Sequence, residues 1–247
     1  MIGNSRTDRW RSIAHARTRL VMWGASDQCR VNRPILESMG CEIVALVDDT
    51  PKGESLVHGL PLLRSWEELN AWASKENPAL LGFVIAIGNP YGHIRCHLHD
   101  RLNSVGFECV SFADSTALIC RSAKIHDGLQ VMPMALIHGN TIVHRQCIIN
   151  TKALVEHDCV LEEGVEVGPG AVLCGRVHVG ANSWIGAGAT VRPRVRIGRD
   201  SIIGAGAVVV SDIPDGVVAV GVPARPVPGS TTASAQARLK QSVTEAP

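Results

Sequence analysis

His157 is followed by Asp158 and has a glycine eighteen residues to either side, Gly139 before it and Gly175 after it. An imidazole beside a carboxylate can act as a base, and a neighbouring glycine leaves a backbone N–H within reach of a developing negative charge. Base plus bare amide donor is what acyl transfer requires. The same residues also fit a plain surface histidine, since exposed histidines are common. Whether they are neighbours at all depends on a scaffold that brings residues eighteen apart together.

The scaffold is written into the second half of the chain. From Ile119 to Val209 every sixth residue is a branched aliphatic, through Ile125, Val131, Ile137, Val143 and onward without a miss. Neither an amphipathic helix nor an alternating strand keeps period six. A hexapeptide repeat does, because each short strand turns a corner and returns its apolar residue to one axis. The residue four later is usually small or β-branched, as at Ala123, Thr141, Ala153 and Ser183, and Cys147 and Cys159 fill the same slot as compact apolar groups. Three hexapeptides per triangular coil make residues eighteen apart stack, at the usual strand spacing of about 4.8 Å. The expected fold of this half is a parallel β-helix.

The same interval lines up Gly168-Pro169-Gly170-Ala171, Gly186-Ala187-Gly188-Ala189 and Gly204-Ala205-Gly206-Ala207. An edge so poor in side chains would let a long thin ligand, such as a pantetheine arm, lie against the backbone. His126 and His144 also stack one coil apart, with His138 in the equivalent slot of another side. A zinc hydratase on this scaffold is the rival reading, but its known histidine pair lies five apart, and no two repeat histidines here do. His93, Cys96, His97 and His99 fall on one predicted helix and read as a solvated face rather than a metal site.

Before the repeat, strand and helix alternate. Leu20–Trp23 is a buried strand running into Gly24-Ala25-Ser26, a helix follows to Met39, and Ile43–Val47 is a second strand ending on Asp48-Asp49. Trp66–Lys75 reads as helix, Leu80–Ile87 as an apolar strand closing on Gly88-Asn89, Tyr91–Ser104 as helix, and Phe107–Phe112 as the last strand. This grammar argues a small parallel sheet covered on both faces, with ligands at the carboxyl ends of its strands. Candidate contacts there are the Gly24 turn with Ser26, the Asp48-Asp49 pair and Gly88-Asn89. Of the dinucleotide fingerprint only Gly24 survives, which disfavours a nicotinamide cofactor; an acid ending the second strand still suits a ribose or a nucleobase, and a solvated strand end is the plain alternative.

The chain has 247 residues and a formal net charge of +1, and shows no basic face, so two domains are expected and nucleic acid is not an expected partner. No apolar run is long enough to cross a bilayer, and the N-terminus lacks a secretory core. None of the 8 cysteines has Cys-x-x-Cys spacing, which fits a reduced, cytoplasmic protein without disulfides or structural zinc. The expected domains are a flexible, Arg-rich extension over 1–18, a Rossmann-like domain over 19–114, the β-helix over 115–228 and a flexible tail over 229–247.

Asn150-Thr151-Lys152-Ala153-Leu154-Val155-Glu156-His157-Asp158-Cys159 resembles the signature of the sugar acetyltransferases typified by bacillosamine N-acetyltransferase and the sialic-acid O-acetyltransferases. Gly24-Ala25-Ser26, Asp48-Asp49, Ile87-Gly88-Asn89, Met132-Pro133, Cys174-Gly175 and Gly221-Val222-Pro223-Ala224 extend the likeness over about Arg19 to Val227. The resemblance implies a left-handed helix, a homotrimer with active sites between subunits, acetyl-CoA as co-substrate and no metal. It also implies a nucleotide-linked sugar held by the Rossmann-like domain, with Gly24, Ser26, Asp48, Asp49, Gly88, Asn89 and Met132 as contacts. His157 would be the general base, supported by Asp158 and Asn150. The Gly175 N–H would polarise the thioester carbonyl, and Gly186, Ala187, Gly204, Ala205, Gly221, Val222 and Pro223 would line the coenzyme groove. Two positions depart from the family: Asp27-Gln28-Cys29 stands where Gly-His-Gly is usual, and Glu166 where many members carry a second histidine. The expected activity is acetyl transfer to the amine of a nucleotide-linked 4-amino-4,6-dideoxy sugar for surface-glycan synthesis. A sugar O-acetyltransferase and a non-catalytic nucleotide-sugar-binding protein are the alternatives.

Overall fold

The computed structural model describes residues 19–50 and 59–234. They form two compact units: residues up to Gly88 together with Ile94–Phe112, and residues from Ala113 onward together with the short segment Asn89–His93. The extensions expected at 1–18 and over most of 229–247 lie outside the described residues.

In the first unit, β1 (Arg19–Trp23), β2 (Glu42–Val47), β3 (Leu62–Leu63), β4 (Gly82–Ile85) and β5 (Glu108–Cys109) make one parallel sheet in the order β3-β2-β1-β4-β5. The helices are α1 (Asp27–Ser38), α2 (Trp66–Glu76) and α3 (Gly92–Ser104). Strands β1 and β4 are near-continuous apolar runs because helices cover both faces of a parallel sheet. Val21, Trp23, Phe83 and Ile85 pack with Leu69, Leu98 and Leu102 in its core. The order reverses between β1 and β4, so the carboxyl ends of these two strands border the crevice where such sheets bind ligands.

Two readings of this half change. The strand expected over Phe107–Phe112 is two strands: Glu108–Cys109 ends the first sheet, while Phe112–Ala113 starts a face of the β-helix. The expected solvated face of α3 also divides: His93 and His97 are exposed, but Cys96 and His99 turn inward, His99 edge-on to Phe83 at 5.8 Å. Arg95, between them, is fully buried.

The second unit is a left-handed parallel β-helix. Its first face stacks Leu118–Ile119, Leu136–Ile137, Leu154–Val155, Val172–Leu173, Thr190–Val191 and Val208–Val209. The second face runs from Lys124–Ile125 to Arg196–Ile197, and the third from Phe112–Ala113 to Ile202–Ile203. Every pairing within the coils joins residues eighteen apart, as Leu136 with Leu154 and Ile148 with Glu166. The aliphatic of each hexapeptide points inward and is buried from Val131 to Val209; Ile125, in the first coil, is only half-buried.

The small second slot has a rule of its own. Thr141, Cys147, Cys159 and Ser183 each donate to the carbonyl fifteen residues on: Glu156 O at 2.9 Å, Glu162 O at 3.1 Å, Cys174 O at 3.2 Å and Gly198 O at 2.6 Å. A buried hydroxyl is costly unless it is hydrogen-bonded, and the coil geometry supplies the acceptor each time. The thiols are therefore donors as well as space-fillers. Burial pushes the Cys159 thiol up to about 11, so it stays protonated.

The corners carry a second six-residue register. From Gly128 through Asn140, Lys152, Asp158, Gly170 and Asn182 to Gly206, every sixth residue has a left-handed backbone. Beyond the last coil, Val217–Val220 continues the third face, and Arg225–Thr231 folds back on it antiparallel. Ordered strand thus extends past 228, where the β-helix domain was expected to end.

Candidate active site

His157 sits at the corner between the first and second faces, after Leu154–Val155 and before Val160–Leu161. Its side chain is 51% exposed, and Nδ1 lies 2.9 Å from Asp158 Oδ2. Asp158 occupies the left-handed corner position, with φ of 58°, which carries its carboxylate back beside the ring. Hydrogen bonds from His157 and from the Asn140 side chain hold the Asp158 carboxyl below its ordinary range. Because the carboxylate can only accept, the neutral form of the His157 ring carries its proton on Nδ1 and leaves its lone pair on Nε2.

That Nε2 faces Gly175. A Cβ on Gly175 would fall 2.5 Å from His157 Nε2 and 2.7 Å from Cε1, so the ring lies in the space where any other residue would place its side chain. The glycine one coil earlier differs: a Cβ on Gly139 would meet Ser122 Oγ at 2.8 Å, and the Gly139 N–H donates to His138 Nδ1. The expected stacking of His157 on Gly175 is present.

The outward N–H groups of the corners fall into two kinds. At several corners a side chain takes it: Thr151 N donates to Asn150 Oδ1, His157 N to Glu156 Oε2, Ala181 N to Glu162 Oε2 and Arg199 N to Asp215 Oδ1. Among the described residues, the N–H groups of Gly175, Ala187 and Ala205, like those of Asp127 and Glu163, donate to no acceptor; the first three belong to residues with no side chain larger than a methyl group. Ala187 and Ala205 are exposed and one coil apart. These are polar donors held ready for carbonyl or phosphoryl oxygens of a bound molecule.

The glycines expected to line that groove have another cause. A Cβ on Gly186 would lie 2.6 Å from Ala205 N, and one on Gly204 would lie 2.7 Å from Val220 Cγ1. Close approach of consecutive coils requires them, and their own N–H groups are bonded to Ile203 O and Ala219 O. The exposed positions of the edge with a free N–H are thus Ala187 and Ala205. Gly221 has φ of 96° and turns Val222 and Pro223 outward, beside the last strand of the first face; Val222 is 73% exposed.

In the first unit the expected contacts gather at the carboxyl ends of the strands. Gly24, with φ of 106°, passes so close to β4 that a Cβ would strike the Ala86 carbonyl. Asp48 does local work: Oδ2 accepts from Ala25 N at 3.0 Å and Oδ1 accepts from Thr50 N at 3.1 Å, tying the end of β2 to the turn before α1. Ser26 and Asp49 are exposed. Gln28 donates to the buried Asn32 at 2.9 Å, and its Oε1 lies 3.5 Å from where a Gly88 Cβ would be. The sequence reading missed Arg95, whose buried guanidinium donates to Ile87 O at 3.1 Å and Gly88 O at 3.3 Å and so braces this turn from beneath. Met132 is fully buried, which removes it from the ligand-facing set; packing rather than contact explains its presence.

His138 lies at the His157 corner, edge-on to that ring at 6.3 Å, whereas His126, His144 and His178 form a different arrangement at the corner between the second and third faces. His126 and His144 stack at 4.9 Å, and burial, then the neighbouring His126, pushes the His144 imidazole down. His178 Nε2 donates to Glu162 Oε1 at 2.7 Å while its Nδ1 accepts from Arg196 at 3.2 Å. Among the described residues, no group of three His, Cys, Asp or Glu side chains is arranged to hold a metal ion.

Comparison with known proteins matches residues 19–102 to the PglD N-terminal domain and residues 176–211 to the bacterial transferase hexapeptide, six repeats. PerB from Caulobacter crescentus, solved in complex with CoA and GDP-perosamine, is 33% identical over 84% of this chain and 96% of its own, with a TM-score of 0.77. The acetyltransferase domain of PglB from Neisseria gonorrhoeae, in complex with acetyl coenzyme A, is 30% identical over 85% of this chain and 100% of its own, TM-score 0.75. WeeI from Acinetobacter baumannii is 26% identical at a TM-score of 0.76. Fold and site together define a hexapeptide-repeat acyltransferase. Within that class, the chain belongs to the sugar N-acetyltransferase family that includes PerB and PglB. Among the described residues, no helix is long and apolar enough to cross a membrane.

Proposed function

We propose that this protein transfers the acetyl group of acetyl-CoA to the amine of a nucleotide-linked 4-amino-4,6-dideoxy sugar, with His157 as general base. The observation that carries the reading is the His157–Gly175 contact: a base with its lone pair on Nε2, its other nitrogen tied to Asp158, and an unclaimed N–H in the residue beneath it. The amine nitrogen attacks the thioester carbonyl carbon, and His157 Nε2 takes the proton that the amine loses. The Gly175 N–H stabilises the tetrahedral oxyanion. Collapse breaks the carbon–sulfur bond, and the proton returns from His157 to the departing CoA thiolate. Ala187 and Ala205 supply donors along the pantetheine arm, and Gly221 to Pro223 close its far end. Asn150 completes the catalytic set as a further support of His157. The turns at Gly24, Ser26, Asp49, Gly88 and Asn89 receive the nucleotide sugar, as befits a family in which PerB binds GDP-perosamine.

A homotrimer is part of this proposal. The outer residues of the first face are Leu118, Leu136, Leu154, Val172, Thr190 and Val208, an almost wholly apolar stripe bounded by the His157 corner on one side and the Ala187–Ala205 edge on the other. Leu118 is 62% exposed. A second copy against this stripe would bury it and wall both edges into one groove.

Free-thiol release from acetyl-CoA with GDP-, UDP- and dTDP-linked amino sugars tests the activity, and turnover with at least one is expected. Binding of a nucleotide sugar by calorimetry without any thiol release would instead establish the non-catalytic reading. Sedimentation equilibrium reads the trimer.

A further inference from the structure

Glu166 is an outward residue on the third face, paired in register with Ile148 and Trp184, yet it is only 2% exposed. A carboxylate so buried is costly unless hydrogen bonds replace its water. Here one oxygen, Oε1, accepts from two side-chain amides: Asn89 Nδ2 at 3.0 Å and Asn150 Nδ2 at 3.5 Å. These two asparagines come from distant parts of the sequence. Asn150 belongs to the β-helix, and Asn89 to the segment Asn89–His93, which lies in the same compact unit. A second contact fixes that segment, because a Cβ on Gly92 would strike the Gly164 carbonyl, so the two backbones touch.

We infer that Glu166 is a positioning residue that anchors Asn150 and sets the amide of Asn89 toward the amino-sugar acceptor. The inference rests on the acyl-transfer reading above. Its physical content is the sense of each amide. A carboxylate only accepts, so each asparagine must turn its NH2 toward Glu166 and its carbonyl oxygen away. Asn150 Oδ1 accepts from Thr151 N at 2.9 Å. Among the described residues Asn89 Oδ1 accepts from no donor. That oxygen is the acceptor Glu166 sets for an N–H or O–H of the sugar. A histidine at 166, as in many family members, could offer a donor and so allow the opposite amide sense.

Steady-state kinetics of Glu166→Ala test this. The KM for the nucleotide-linked amino sugar should rise about ten-fold, while the KM for acetyl-CoA stays within about two-fold. Glu166→Gln, which keeps an acceptor oxygen, should recover most of the loss. A rise in the acetyl-CoA KM instead, or no change in either, overturns the inference. Should Glu166→Ala fail to fold, as a lowered thermal midpoint would reveal, Asn89→Ala carries the test. It should raise the sugar KM about ten-fold and leave the acetyl-CoA KM within about two-fold, and an unchanged sugar KM would overturn the inference. Were the wild-type protein to turn over no sugar, the acyl-transfer reading would fail first. Calorimetric affinity for the nucleotide sugar, compared between wild type and Glu166→Ala, would then still decide the role of Glu166.

Discussion

Two corners of one β-helix hold histidines, and their surroundings make opposite use of the same side chain. At the His157 corner the neighbour one coil on is a glycine, so the ring has room, one oriented nitrogen and an unclaimed N–H beside the other. At the opposite corner the neighbour of His126 is His144, and beyond it Glu162, and there both ring nitrogens of His178 and both oxygens of Glu162 are engaged, by each other, by Arg196 and by the Ala181 N–H. Burial works to raise the Glu162 carboxyl, but the bonds from His178 and the Ala181 N–H outweigh it and hold the group low. The first corner leaves a base and a donor open to another molecule, whereas the second turns His178 and Glu162 on each other. Reactivity on a repeat scaffold thus depends less on which residue occupies a slot than on what stands above and below it.

The comparison can be broken most sharply at His157. His157→Ala should lower kcat by about 100- to 10,000-fold, the range for loss of a general base, with thermal stability nearly unchanged. Gly175→Ala comes next: its Cβ would fall within the His157 ring, and displacement of that base should lower kcat by about 100-fold. Asp158→Asn leaves the ring in place but replaces an acceptor-only carboxylate with an amide that can also donate, so the tautomer is no longer selected, and about ten-fold is expected. At the other corner, His144→Gln should change turnover by less than about two-fold. Its effect is on stability: the His144 imidazole, pushed down in the fold from 6.5, resists the proton that the unfolded chain accepts. The unfolded state therefore binds more protons below the ordinary histidine pKa, and stability falls as pH falls. Thermal melts from about pH 7.5 to about pH 5 should lose part of that slope in His144→Gln. Equal losses of turnover in His157→Ala and His144→Gln would abolish the distinction between the corners.

Much of this was legible in sequence because the coil is a local rule repeated. The six-residue register located the inward ladder, and the interval of eighteen placed His157 over Gly175 before any coordinates. What escaped were features created by contact between segments distant in sequence. The role of Gly186 and Gly204 depends on the backbone of the next coil, and the burial of Arg95 on carbonyls at the end of β4. The link from Asn89 to Glu166 spans 77 residues with no shared period. The split of Phe107–Phe112 between two sheets was invisible because both pieces are apolar and extended, and only their partners differ.

The final strand, Arg225–Thr231, has a consequence for how the molecule behaves in a crowded solution. A stack of parallel coils has no intrinsic end, and its last rung offers unpaired N–H and C=O groups to any passing strand. Here the chain reverses and lays an antiparallel strand over that rung, and the strand carries Pro226 and Pro228, which have no N–H to extend the ladder. The third face is thereby terminated rather than merely discontinued. Cutting the chain before Arg225 would expose an open template and turn a discrete particle into one prone to end-to-end polymerisation.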